Sequence, residues 1–174
     1  MDDRFLIVSD VDGTMLGDDD ALERFAAWLS SRREQFYLAY NSGRLSASIR
    51  QSVETTLLPE PDALIGGVGT QIEFFVNRQT LDDWPVSGAN WNLLVIRDTL
   101  AACEGLDLQP DEFLSEHKLS YYAYVASEND LALWMSLLEK NGQCVQIVYN
   151  SVSDLDILPV GVNKGTACAD LAEH

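Results

Sequence analysis

Phe5-Leu6-Ile7-Val8-Ser9-Asp10-Val11-Asp12-Gly13-Thr14 is the stretch from which the fold is read. Phe5 to Val8 is a continuous apolar run closed by Ser9-Asp10, and a run this short suits a strand buried on both faces. Asp10 and Asp12 follow at once. In an open α/β sheet, ligands bind just outside the carboxyl ends of the strands. Two carboxylates spaced this way can face one reacting group there. One can attack phosphorus as a nucleophile, while the other gives a proton to the leaving oxygen and later takes one from water. Gly13 permits a tight backbone path that a Cβ would obstruct. The plain alternative is an ordinary Asp-Gly turn; the position directly behind an apolar strand makes the string more specific than that.

Working outward, Asp18, Asp19 and Asp20 offer a cap and first-turn charges for a helix in which Leu22, Phe25, Ala26 and Leu29 recur at helical spacing. Gln35 to Tyr40 reads as a second strand, Leu45 to Thr56 as a second helix and Ala63-Leu64-Ile65 as a third strand, ended by Gly66-Gly67. Strands alternating with helices predict a parallel sheet covered on both faces. After Gly69 the pattern changes. Thr70 to Val76 alternates like a hairpin strand, a helix runs to about Cys103, Leu119 to Val125 is strand-like, Asp130 to Lys140 helical and Gln143 to Tyr149 strand-like. That order fits a small α+β module inserted into the first domain. Asp156-Ile157-Leu158-Pro159 then reads as the return to the core, followed by a helix from Gly165 to His174.

Two further strings stand where a phosphate would be held. Asn41-Ser42-Gly43-Arg44 joins the second strand to the second helix, and a hydroxyl with free N–H groups at a helix N-terminus can cradle phosphate. An N-cap serine is the plain alternative. Asn163-Lys164-Gly165-Thr166 opens the last helix, where a lysine can hold a phosphate oxygen as a point charge. Alone it reads equally well as a surface lysine. The three strings in this order at successive strand ends are together far less expected by chance than any one of them.

Composition bounds the partners. With 11 Lys and Arg against 28 Asp and Glu, the 174-residue chain carries a formal charge of −17, which opposes binding to nucleic acid or to an anionic membrane. Cys103, Cys144 and Cys168 show no spacing for zinc and read as reduced, partly buried thiols. The apolar run behind Met1-Asp2-Asp3-Arg4 is too short for a signal-peptide core or a membrane span, so the default address is the cytoplasm.

DVDGT, the serine of NSGR and the lysine of NKGTA resemble the first three motifs of the haloacid dehalogenase (HAD) superfamily of aspartate-nucleophile phosphatases. The insertion between the second and third motifs is similar to that superfamily's α+β cap. IGGVGT, SDLDILP and NKGTA narrow the resemblance to the branch holding the sucrose-phosphate and mannosylfructose-phosphate phosphatases, along essentially the whole chain. The resemblance implies a Rossmann-like α/β core over residues 1–80, an α+β cap over 81–155 and a return to the core over 156–174. It makes Asp10 the nucleophile that becomes an aspartyl phosphate and Asp12 the general acid/base. Ser42, Gly43 and Lys164 bind the transferring phosphoryl group, and Mg2+ is held by the Asp10 carboxylate and the Asp12 backbone carbonyl. The implied activity is that of a Mg2+-dependent phosphatase acting on a small sugar phosphate.

Thr70 and Gln71 lie where the family faces its sugar, with a hairpin start as the alternative. His117 and Lys118, just before the strand that begins at Leu119, could meet sugar hydroxyls or phosphate, with an exposed loop as the alternative. Asp154 and Asp156 are read as structural, and Trp84, Trp91 and Trp134 as core of the inserted module. The family's fourth motif, an acidic segment supplying further magnesium ligands, has no counterpart before His174. The expectation is therefore a core truncated at its C-terminus, whose uncovered edge would favour self-association. Two rivals remain open. One is a phosphoacceptor signalling domain, which the motif order opposes. The other is a non-catalytic phosphosugar binder or inactive fragment, which the missing motif keeps in play.

Overall fold

The computed structural model describes residues 4–81, 83–85, 90–150 and 152–174. It divides into two compact units, Met1–Trp84 with Asn163–His174, and Pro85–Val162.

The first unit is built on strands β1 (Phe5–Ser9), β2 (Phe36–Asn41), β3 (Ala63–Gly66) and β4 (Gln71–Phe74), in the order β1-β2-β3-β4. The first three run parallel, and β4 turns back antiparallel to β3. Helices α1 (Asp19–Ser30), α2 (Ser46–Thr55) and α5 (Lys164–Leu171) complete the unit. Alternation along the strands supplies two cores. Ile7, Leu38, Tyr40 and Leu64 pack with Leu22 and Leu29 of α1 and Ile49 of α2. Leu6, Ala39, Ala63 and Ile65 pack with Ala167 and Leu171 of α5. Residues that point to opposite faces of a pleated strand thereby meet helices on both sides.

β1 departs from the expectation of a strand buried on both faces: Phe5 is 70% and Val8 36% exposed. Among the described residues its one strand neighbour is β2, so the row beyond it has nothing to close against. The α1 start matches its sequence signal. Asp18 caps the helix by accepting from the Ala21 amide at 2.9 Å, and Asp19 and Asp20 set negative charge against the positive end of the helix dipole.

The second unit is an antiparallel sheet in the order β5-β6-β8-β7, from β5 (Asp107–Leu108), β6 (Leu119–Tyr122), β7 (Val145–Tyr149) and β8 (Asp154–Pro159). α3 (Leu93–Leu100) and α4 (Glu128–Lys140) pack against it. Leu119, Tyr121, Leu155 and Ile157 point into this core with Trp134 and Leu138 of α4, and Trp91 packs at its margin.

Three sequence expectations are corrected by the structure. Asp156 to Pro159 does not enter the first sheet; β8 is an inner strand of the second, flanked by β6 and β7, and the chain rejoins the first unit at Asn163. An apolar strand reads the same in either sheet, and only pairing register tells them apart. Trp84 belongs to the first unit: it packs with Ile72 and Ala167, and its indole N–H donates to the Gly69 carbonyl at 2.8 Å. Of the three free cysteines, Cys103 and Cys168 are half-buried, and Cys144 is exposed rather than partly buried.

Candidate active site

The loop after β1 is organised around Val11. Its side chain is fully buried, and its carbonyl accepts from the amides of Thr14, Met15 and Leu16. With Val11 pinned inward, Asp10 and Asp12 on either side both remain exposed. Gly13 adopts φ +71°, a left-handed conformation that glycine takes without steric cost.

Ser42 follows β2. Its amide donates to the Ile65 carbonyl at 2.9 Å, which ties the loop to β3. Its hydroxyl, buried to 2% exposure, lies 3.5 Å from Asp12 Oδ2 and accepts from the Arg44 amide at 3.2 Å. Gly43 is exposed beside it, and a Cβ there would make only ordinary contact with Val68, so position rather than backbone freedom is what Gly43 offers.

Lys164 is the first residue of α5. Asn163 caps the helix, accepting from the amides of Gly165 and Thr166 at 2.8 and 3.0 Å, and Thr166 Oγ1 accepts from the Asn163 amide in return. Lys164 Nζ donates to Asp10 Oδ1 at 2.9 Å across 154 residues of sequence. Two contacts hold this helix start in place. Asn41 Nδ2 donates to the Lys164 carbonyl at 2.9 Å. Gly69, at φ +100°, lets the backbone approach so closely that a Cβ there would lie 2.4 Å from the Asn163 carbonyl carbon and oxygen.

Asp10, Asp12, Ser42 and Lys164 thus converge at the carboxyl end of the parallel strands, all within the first unit. A buried hydroxyl and an ammonium can both face a phosphoryl oxygen, with one carboxylate beside each. Arg44 also joins the cluster: its Nη1 is 3.4 Å from Asp12 Oδ1. Arg44, Asn41 and Gly69 stand within the NSGR and IGGVGT strings, where local pattern gives them no part of their own. Their signal was adjacency to Ser42 and to the Gly66-Gly67 pair, which spacing alone does not convert into a contact.

The other expected substrate groups are engaged elsewhere. Thr70 is buried, and its hydroxyl donates to the Gly67 carbonyl at 2.9 Å. Gln71 Oε1 accepts from the Ser46 amide at 2.8 Å and so closes the start of α2. In the second unit Lys118 is 4% exposed, and its ammonium donates to the Phe113 carbonyl at 3.1 Å, Ser120 Oγ at 2.5 Å and Asp156 at 3.0 Å. With its three donors engaged and its charge paired, Lys118 holds the loop to the sheet. His117 stacks on Trp91 at 6.5 Å between ring centroids. A cavity of about 390 Å³ in the first unit, lined by Arg50, Glu54, Glu60, Phe75 and Arg78 among others, shares no residue with the carboxylate cluster.

A largely parallel α/β sheet with this loop order, together with the family model and the sucrose-phosphatase structure it matches, makes the chain a member of the HAD superfamily. The model described as Sucrose-6F-phosphate phosphohydrolase matches residues 3–174, and the chain belongs to that family. It is 32% identical to sucrose-phosphatase 1 of Nicotiana tabacum over 97% of this chain and 41% of that protein. It is also 32% identical to the mannosylfructose-phosphate phosphatase of Agrobacterium fabrum, over 94% and 67% of the two chains. The solved sucrose-phosphatase of Synechocystis sp., in complex with sucrose and phosphate, superposes with a TM-score of 0.88 at 31% identity, covering 100% of this chain and 71% of that one. The chain therefore spans about two fifths of the length of the tobacco enzyme. Among the described residues no helix is long and apolar enough to cross a membrane.

Proposed function

We propose that this chain hydrolyses the phosphomonoester of a sugar phosphate, of the sucrose-6-phosphate or mannosylfructose-phosphate kind, through an aspartyl phosphate on Asp10. The observation that carries the reading is the 2.9 Å contact between Lys164 Nζ and Asp10 Oδ1, made between the first and last elements of the unit. A nucleophile paired with a lysine at a helix start has a cation in place for the phosphate it must approach. An Asp10 oxygen attacks phosphorus, the sugar oxygen departs and Asp12 protonates it. Asp12 then takes a proton from the water that cleaves the aspartyl phosphate. Lys164 and the Ser42 hydroxyl hold the phosphoryl oxygens through both displacements.

The donor set fits magnesium. Asp10 and Asp12 offer exposed, hard oxygen donors, and this ion keeps several waters and takes only one or two carboxylates beside a phosphate. Asp10 would hold it through its carboxylate and Asp12 through its backbone carbonyl. Bound there, it would neutralise charge between the carboxylate and the phosphate dianion.

The test is phosphate release from sucrose-6-phosphate, mannosylfructose-phosphate and p-nitrophenyl phosphate, with Mg2+ and with chelator. Release from a sugar phosphate that needs the metal is expected. Binding of the sugar phosphates with no release from any of the three would leave a binder and defeat the proposal.

A further inference from the structure

We propose that Arg44 is a positioning residue for Asp12, holding its carboxylate in the direction of the departing sugar oxygen; this rests on the phosphatase reading above. Arg44 stands just before α2, whose N-cap is Leu45. Leu45 itself makes no side-chain cap bond, and the first turn of α2 holds no acidic residue. A cation is electrostatically disfavoured at the positive end of a helix dipole, so the dipole gives no reason for an arginine here.

What holds Arg44 is a row of serines. Its Nε donates to Ser48 Oγ at 3.0 Å. Its Nη2 meets the Ser48 carbonyl and Oγ, each at 2.8 Å, and Ser52 Oγ at 2.9 Å. Residues 44, 48 and 52 recur every four positions, so they fall along one face of the helix and its entry. The backbone is held as well: the Arg44 amide donates to Ser42 Oγ, and its carbonyl accepts from the Gly67 amide at 2.8 Å.

The guanidinium is planar. Engaging Nε and Nη2 on α2 therefore fixes the direction of Nη1, the one nitrogen turned to Asp12 Oδ1 at 3.4 Å. The Ser42 hydroxyl approaches the other carboxylate oxygen at 3.5 Å. Asp12 itself is 58% exposed, so packing does little to orient it. These two contacts, one on each oxygen, define its plane. A bidentate grip on phosphate would take two free nitrogens, and here Nε and Nη2 are engaged by Ser48 and Ser52.

The experiment measures leaving-group release in single turnovers, with enzyme in excess, for a sugar phosphate and for p-nitrophenyl phosphate. Nitrophenolate leaves without a proton and the sugar alkoxide does not, so loss of acid orientation is selective. Arg44→Gln should slow sugar release roughly 30-fold and nitrophenolate release no more than about 3-fold, with little change in substrate affinity. Ser52→Ala, which loosens Arg44 from behind, should show the same selectivity at smaller size. In an Asp12→Asn background, Arg44→Gln should add less than about twofold, since a group that acts through Asp12 has nothing left to act on. Equal slowing of both substrates, weaker binding of both, or an undiminished effect in the Asp12→Asn background would overturn the assignment. Wild-type protein releasing neither leaving group would remove the phosphatase reading itself, and this inference with it.

Discussion

At the residue scale, Asp10 and Lys118 are both paired with opposite charge, and burial separates their consequences. Asp10 and Lys164 are each about two fifths exposed, so water screens the pair and its stability value is small. Asp10→Asn is expected to keep the fold, with a melting temperature within a few degrees of wild type, and to drop turnover below about 1% because an amide cannot attack phosphorus. Circular dichroism melting beside a phosphate-release assay checks both halves. Lys118 is the opposite case. Its side chain is 5% exposed against 18% for Asp156, with Ser120 Oγ donating to the same carboxylate at 2.6 Å. Lys118→Met would leave Asp156 short of its counter-charge in a dry place and should cost about 3 kcal/mol in a denaturant titration. Unchanged stability, with weakened binding of a disaccharide phosphate, would return Lys118 to the ligand-facing role its loop position suggested.

At the element scale, the placement of α5 decides whether Lys164 meets Asp10. The helix has only eight residues, too few to stand alone in water, so packing and capping hold it. Its start is fixed by the Asn163 cap, by Asn41 and by the close approach at Gly69. Gly69→Ala adds a carbon 2.4 Å from the Asn163 carbonyl at a backbone angle of φ +100° that alanine rarely adopts. A loss of about 2 kcal/mol or more is expected, with weaker inhibition by inorganic phosphate because Lys164 moves with the helix. Asn163→Ala removes the cap alone and should cost about 1 kcal/mol. If Gly69→Ala left phosphate inhibition unchanged, the loop would not be what seats the lysine.

At the scale of the whole molecule, each unit carries its own core and its own buried tyrosine. Burial raises the Tyr121 hydroxyl from 10.0 to about 12, and raises Tyr40 further still. In the unfolded chain both lose their protons near pH 10, while in the folded chain they keep them. Stability from this source is therefore complete below pH 10 and falls as pH climbs from there through about 12. Unfolding should consequently set in on the alkaline side in both units. Tyr121 Oη is buried without a hydrogen-bond partner among the described residues, whereas Tyr40 Oη donates to the Pro59 carbonyl at 2.8 Å. Tyr121→Phe should thus be neutral or stabilising at pH 7 and flatten the alkaline loss in the second unit; Tyr40→Phe should flatten it in the first at a cost of about 1 kcal/mol. Urea titrations at pH 7 and pH 11, followed by tryptophan fluorescence, read this directly. A steeper alkaline loss in Tyr121→Phe would contradict it.

Local patterns carried much of this protein in one dimension. The apolar run before Asp10, the acidic start of α1 and the order of strand and helix up to β3 depend on neighbours three or four residues away, and such preferences survive in any context. The strings around Asp10, Ser42 and Lys164 were legible for the same reason, since loop chemistry at a strand end is written in consecutive residues. Partners far along the chain were not legible. β8 reads as an apolar strand, but its sheet is decided by hydrogen-bond register with β6 and β7. Lys118 and Asp156, Arg44 and Asp12, and Gly69 and Asn163 are joined only because folding brings them together. Periodicity and capping are short-range and additive along the chain, whereas burial and pairing belong to the packed molecule. That is why folding turned Lys118 inward and aimed Arg44 at a carboxylate.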